Sequence, residues 1–250
     1  QIKRVSLSPD EIDCIVFWTK DPVNMLDKLP FIDLLGYRYY FQFTLNPYGR
    51  ELECNLRDKE KIIETFIRLS DYIGSGRLVW RYDPVVINDS YTADYHIKNF
   101  EYLCSKLQGS TKRCIISFVD DYRKLGRLVR EHIIRDISDE QQHYIAGSFV
   151  KTASECGIEV RACCEGLDFS ADGVKPAACI DKELIESIWG YPLKAKKDKN
   201  QRPGCNCAES TDIGVYNSCR NGCLYCYANH SEASINKNYM KHNPEADILI

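Results

Sequence analysis

The sequence has no apolar run near the ~20 residues needed to cross a bilayer, so no membrane-spanning helix is predicted. It opens with Gln1 and runs straight toward a strand, without the charged, apolar and small-residue order of a signal peptide. The expected location is the cytoplasm. An excess of one charge is also missing: 33 basic against 36 acidic side chains leave a net charge of −3. Bulk electrostatic attraction to nucleic acid or to a membrane has no basis there. No internal repeat and no low-complexity tract is present, which sets aside repeat arrays.

Cysteine, by contrast, is plentiful, with 13 in 250 residues. A disulfide scaffold belongs to a small, loop-rich secreted chain, and this chain is neither small nor marked for secretion. The thiols therefore read as reduced. Cys14, Cys104, Cys114 and Cys156 lie in apolar or helical stretches and read as core. Cys54 has no evident partner and receives the same reading.

The densest thiol stretch is Cys219-Arg-Asn-Gly-Cys223-Leu-Tyr-Cys226-Tyr. Steps of four and three residues let one loop present three sulfurs to one point. Thiolates are soft donors and select iron–sulfur clusters, zinc or copper(I). A closed zinc site or an all-cysteine cluster needs a fourth ligand. Either it comes from elsewhere, or one metal keeps a position for an outside ligand. A structural zinc knot is the plain alternative, but zinc motifs usually pair two short cysteine steps.

The rest of the chain reads as strands alternating with helices. Apolar runs mark strands at 13–18, 39–45, 78–80, 114–119 and 158–162. Amphipathic spacing marks a helix after Asp58, ended by Gly74, and another over 91–107. Ser138 opens a third helix, which runs to about Cys156. A helix-like segment follows Pro22 as far as Gly36, and residues 122–137 read as loop plus helix. This is the βαβ rhythm of a parallel sheet.

The residues just past the strands are chemically capable: Lys20, Asn46, Arg81 with Asp83, Asp120, and Arg161 with Glu165. Barrels collect such groups at the C-terminal rim, one contribution per strand. The expected fold is therefore α/β, a partial (β/α)6-like TIM-type barrel over residues 1–165. Residues 166–250 form a cysteine-rich segment expected to pack on the barrel mouth. Within it, 166–180 reads as loop, 181–189 as a short helix and Lys194 to Arg202 as a solvated basic linker. The polar tail from Asn229 ends in an apolar triplet that reads as the start of a strand.

These pieces together resemble an uncharacterised bacterial family whose C-terminal cysteine cluster is similar to that of radical S-adenosylmethionine (SAM) enzymes. The likeness rests on Cys14-Ile-Val-Phe-Trp-Thr-Lys20, Tyr40-Phe-Gln-Phe-Thr-Leu45, Trp80-Arg-Tyr-Asp-Pro84, Ile116-Ser-Phe-Val119, Asp198-Lys-Asn-Gln-Arg-Pro-Gly-Cys205 and Gly222-Cys-Leu-Tyr-Cys-Tyr-Ala-Asn229. Members usually carry a further N-terminal stretch, so an upstream piece is expected to be missing. Thr19-Lys-Asp-Pro22 is also similar to a segment of spore photoproduct lyase-like proteins. There it follows the cysteines; here it precedes them. The order implies a permuted radical SAM arrangement.

The resemblance implies that Cys219, Cys223 and Cys226 hold a [4Fe–4S] cluster whose open iron binds SAM. One electron would cleave SAM to methionine and a 5′-deoxyadenosyl radical, which takes hydrogen from a substrate. An electron donor such as flavodoxin or ferredoxin would be the partner. The sequence does not name the substrate, and nucleic acid stays among the candidates. Tyr225 is expected near the adenine or packing the loop, and Arg81 is expected either to hold a carboxylate or to pair with Asp83. No Gly-Gly-Glu-like pair for the SAM amino group is present. The competing class is an iron–sulfur or zinc protein without SAM chemistry. The leftover thiols Cys163, Cys179, Cys205 and Cys207 suggest a second metal centre, a further cluster or a zinc, that ties the C-terminal segment to the barrel.

Overall fold

In the computed structural model, residues 4–119, 131, 133–202 and 204–249 are described. Asp120, and most of the 122–137 stretch read as loop plus helix, lie outside them. Six parallel strands form one sheet in sequential order: β1 (Ile15–Thr19), β2 (Tyr39–Thr44), β3 (Leu78–Val85), β4 (Arg113–Phe118), β5 (Glu159–Ala162) and β6 (Lys175–Pro176). Every neighbouring pair is parallel. The sheet is open, with β1 and β6 at its edges, and is consistent with a partial TIM-like fold.

Two strands depart from the sequence reading. The third strand does not stop at Trp80 but continues through Arg81, Asp83 and a cis Asp83–Pro84 bond. The stretch 166–180 is not all loop, because two of its residues form β6, too short to carry a periodic signal.

Period-two alternation gives the sheet two different faces. One face presents Phe41 and Phe43, Trp80 and Tyr82, Ile116 and Phe118. It is covered by α3 (Lys59–Ile73), α4 (Ala93–Leu107) and α5 (Asp139–Glu155). Earlier in the chain, α1 (Val23–Leu26) and α2 (Leu29–Leu34) replace the single helix-like segment read there. The Asp58 side chain caps α3 by accepting from the Glu60 N–H at 3.0 Å. Its apolar stripe, with Ile62, Phe66 and Leu69, faces the sheet. Phe100 stacks on Phe149 at 3.8 Å and on Trp80 at 4.9 Å, so rings from α4, α5 and β3 form one column.

The opposite face presents Tyr40, Val79, Ile115 and Cys163. In a closed barrel this face would line the interior. Here the chain covers it with its own C-terminal segment, through Ala177, Leu193, and Leu184 and Ile185 of α6 (Lys182–Trp189). The α6 cap, Asp181, receives the Leu184 N–H at 2.9 Å and pairs with Arg113 at 2.8 Å. The basic run 194–202 is not a loose linker. Lys197 bridges Ala208, and the Asp198 N–H donates to the Cys207 carbonyl at 2.9 Å. The polar tail holds α7 (Glu232–Lys241), and its apolar end, as far as it is described, is not a strand.

His96 is fully buried between the Val86 carbonyl (2.8 Å from Nε2) and the Tyr82 hydroxyl (2.7 Å from Nδ1). The carbonyl can only accept, so Nε2 carries the proton and Nδ1 accepts from Tyr82. Burial pushes His96 down from 6.5 to about 4. Unfolded, this ring takes a proton as pH falls through about 6.5; folded, it resists until about 4. Its contribution is therefore fully present above 6.5 and lost progressively as pH falls to 4, by about 3 kcal/mol. Urea unfolding of wild type and His96→Phe at pH 7 and pH 4 checks this. The pH-dependent loss should shrink by that amount in the variant, and equal losses would refute it.

Candidate metal centres

Three thiols from three places meet on the sheet face that the C-terminal segment covers. Cys163 follows β5, Cys179 follows β6, and Cys207 is held where Ala208 donates to the Ile180 carbonyl at 2.9 Å. Their sulfurs all lie within 4.8 Å of one another. Those of Cys163 and Cys179 are 3.4 Å apart. A single tetrahedral ion with metal–sulfur bonds of about 2.3 Å holds its thiolates about 3.8 Å apart. A cubane cluster puts each thiolate on a different iron and spreads them further. The spacing suits one ion.

The surroundings favour a thiolate at Cys179. Arg81 Nη1 donates to Cys179 Sγ at 3.2 Å. The backbone N–H groups of Cys179 and Ile180 donate to Cys207 Sγ at 3.2 and 3.5 Å. Hydrogen bonding from the Cys163 and Cys207 thiols, with the Arg81 charge, holds Cys179 well below the usual thiol range. The same contact pushes Cys163 up. Cys179 itself is clamped: its carbonyl accepts from the Tyr40 hydroxyl at 2.7 Å and from Gln42 Nε2 at 2.9 Å. Cys205 is buried nearby but does not belong to the converging set.

The second thiol group sits on the rim at the C-terminal ends of the strands. The loop that carries it pairs with residues 52–55. Leu224 donates to the Leu52 carbonyl at 2.9 Å, and Asn55 donates to that of Asn221 at 3.1 Å. Gly222 sits at φ +66°, and a side chain there would meet the Asn55 carboxamide at 2.9 Å, so glycine is favoured. Tyr225 anchors the loop. Its hydroxyl accepts from Lys20 at 2.9 Å and Asn46 at 3.2 Å and donates to the buried Glu53. Glu53 also pairs with Lys20 at 2.9 Å and with Lys59. Burial opposes its charge, but the two lysines outweigh burial and hold Glu53 below the usual carboxylate range.

Burial pushes the Cys223 thiol up to about 12, while Cys219 is exposed. Among the described residues, Cys219, Cys223 and Cys226 do not form a set at single-ion spacing. Removing the anchor should free this loop. Tyr225→Phe deletes one bond to a carboxylate and two from nitrogen donors, and should cost about 2 kcal/mol. Hydrogen exchange should rise over residues 217–229 and stay unchanged in α3 to α5. Unchanged exchange in the loop would refute the anchoring role.

The family model for DUF1848, a domain of unknown function, matches residues 1–228. The chain belongs to this family. No curated protein matches it. Among solved structures, the mannonate dehydratase from Streptococcus suis serotype2 is similar at 15% identity with a TM-score of 0.37. The match covers 71% of this chain and 58% of that one.

The strand-end residues of this DUF1848 chain divide into two places. Lys20 and Asn46 meet at Tyr225, and Asn46 also exchanges two 2.8 Å bonds with the Asp83 backbone. Arg81 pairs with Asp83, which Ser117 also contacts, so Arg81 bridges a carboxylate and a thiol instead of standing free. Glu165 receives the Phe118 N–H at 3.3 Å. Arg161 departs from the rim reading. It pairs with Glu159 at 2.6 Å and lies 4.0 Å from Asp181, the cap of α6, so its charge is engaged by carboxylates. Cys54 is exposed and not a core residue. Sequence reasoning passed over Tyr40, Gln42, Glu53 and Lys59. The first two read as ordinary strand residues, and the last two carried no motif.

Proposed function

We propose that this protein is a metalloprotein whose buried centre is a single ion held by Cys163, Cys179 and Cys207. One observation carries the reading: the sulfurs of buried Cys163 and Cys207 and half-buried Cys179 lie within 4.8 Å of one another, with N–H donors aimed at two of them. Buried anions in one pocket are costly unless paired. Arg81 supplies one compensating charge, and a divalent cation would supply the rest. Zinc suits the donors and the spacing. Metal analysis of the full chain with Cys219, Cys223 and Cys226 all changed to alanine tests this. About one tightly bound metal per chain should survive. A metal-free product would refute the buried centre.

A second reading concerns the rim loop, and the seating of Tyr225 among Lys20, Glu53 and Asn46 favours it. The loop would hold a [4Fe–4S] cluster for radical SAM-type chemistry, with the cysteine motif standing where the strand ends converge. Such a cluster would supply an electron for reductive cleavage of SAM. This chain's own residues would position the loop through Tyr225 and offset thiolate charge at Cys223 through Lys20, whose charge acts on that thiol. Anaerobic reconstitution with iron and sulfide, then SAM and dithionite, should yield 5′-deoxyadenosine. A cluster spectrum unmoved by SAM would support a metal protein without radical chemistry.

A further inference from the structure

The three converging thiols leave a tetrahedral ion one ligand short, and a side chain that grips the Cys179 carbonyl holds an acceptor with nothing to accept. Gln42 is fully buried on β2, and its Oε1 has no hydrogen-bond partner. The orientation of the carboxamide is not arbitrary. Its nitrogen donates to the Cys179 carbonyl at 2.9 Å; the flipped carboxamide would set two acceptors against each other. The free oxygen therefore stands beside the residue that carries the central thiol. A buried acceptor without a donor costs about 1–3 kcal/mol, and sheets rarely keep one without cause. Tyr40, the other side chain on the same carbonyl, already accepts from the Asp181 N–H at 3.2 Å.

We propose that the metal at Cys163, Cys179 and Cys207 keeps an open fourth position, and that a small ligand binds there. The ligand coordinates through nitrogen or oxygen and presents an N–H or O–H to Gln42 Oε1. A neutral amine or an alcohol has the required chemistry. The inference rests on the metal reading above and adds a binding function to it: the ion is an anchor for an exchangeable molecule and not a closed structural knot. Coordination forms one metal–nitrogen or metal–oxygen bond in place of bound water, and no oxidation is involved. Cys205 is the rival for the fourth position, because it is buried in the same segment.

Cobalt(II) in the full chain, with the three rim cysteines changed to alanine, is the probe. X-ray absorption should count three sulfurs and one nitrogen or oxygen, unchanged in Cys205→Ser. Imidazole should shift the d–d bands saturably. Gln42→Leu should weaken imidazole binding about tenfold, the worth of one hydrogen bond of about 1.4 kcal/mol, with the sulfur count intact. Four sulfurs in the starting protein would overturn the open position while leaving the metal reading in place. Imidazole binding that is absent, or equally tight in Gln42→Leu, would overturn the proposed ligand contact. Failure to bind cobalt at all would overturn both readings.

Discussion

Replacing Cys179 by serine should abolish tight metal binding at the buried centre while leaving the fold in place. Cys179 is the middle of the set: its sulfur is 3.4 Å from that of Cys163 and receives Arg81, and its N–H donates to Cys207. An alcohol at this position is a hard, protonated donor and a poor substitute for a soft thiolate. Changing an outer-shell partner typically costs 10–100-fold in affinity, so losing a ligand should cost more than about 100-fold. The backbone pins survive, because Tyr40 and Gln42 hold the carbonyl of residue 179 and not its side chain. The metal-free variant should therefore melt close to metal-free wild type. The difference lies in the response to added zinc. Wild type gains about 4 kcal/mol when free metal reaches a thousand times the dissociation constant, and the variant should gain almost nothing. Thermal melts with zinc and with chelator measure both quantities. A variant that keeps the zinc increment would show that the metal lies elsewhere.

The sheet was legible because its strands are buried on both faces, and such strands read as continuous apolar runs. Leu78–Val85 marks the limit of that reading. Arg81 and Asp83 look like the end of a strand, but they satisfy each other on one face while Tyr82 packs on the other, so the strand continues. The covering of the second face was legible only in part. Leu184 and Ile185 announce a helix, but nothing local says that it seals the face opposite α3 to α5.

The thiols divide in the same way. Cys163, Cys164, Cys179, Cys205 and Cys207 stood out because they occupy no apolar helix face. Which of the leftover thiols converge depends on packing between segments 16 and 28 residues apart, which carries no local signature. Arg161 shows the opposite error. It sits at a strand end as the rim residues do, but Glu159 two residues earlier and Asp181 on α6 take its charge. Strand position says where a side chain starts, and its partners decide where it goes.

Arg81 connects the two cysteine regions, and its removal should be felt at both stability and metal binding. Its Nε donates to Asp83 at 2.8 Å and its Nη1 to Cys179 Sγ at 3.2 Å. Asp83 is held in turn by Asn46, which also reaches Tyr225 on the rim loop. Arg81→Met keeps the length and apolar bulk of the side chain but leaves Asp83 without its cation. Breaking a buried pair from one side costs about 3–5 kcal/mol, and the partial exposure of Asp83 points to the low end, roughly 3 kcal/mol. The second effect is on the metal. Without the guanidinium, Cys179 loses a hydrogen bond and the positive charge beside it, so zinc affinity should fall about 10–100-fold. Arg81→Lys separates the two effects. A lysine restores a charge but cannot bridge a carboxylate and a sulfur with a planar fork. It should recover part of the stability and little of the affinity. Urea unfolding of the metal-free proteins gives the first number and competition with a zinc chelator gives the second. If Arg81→Met binds zinc as wild type does, the arginine serves only Asp83, and the contact with Cys179 has no role in holding metal.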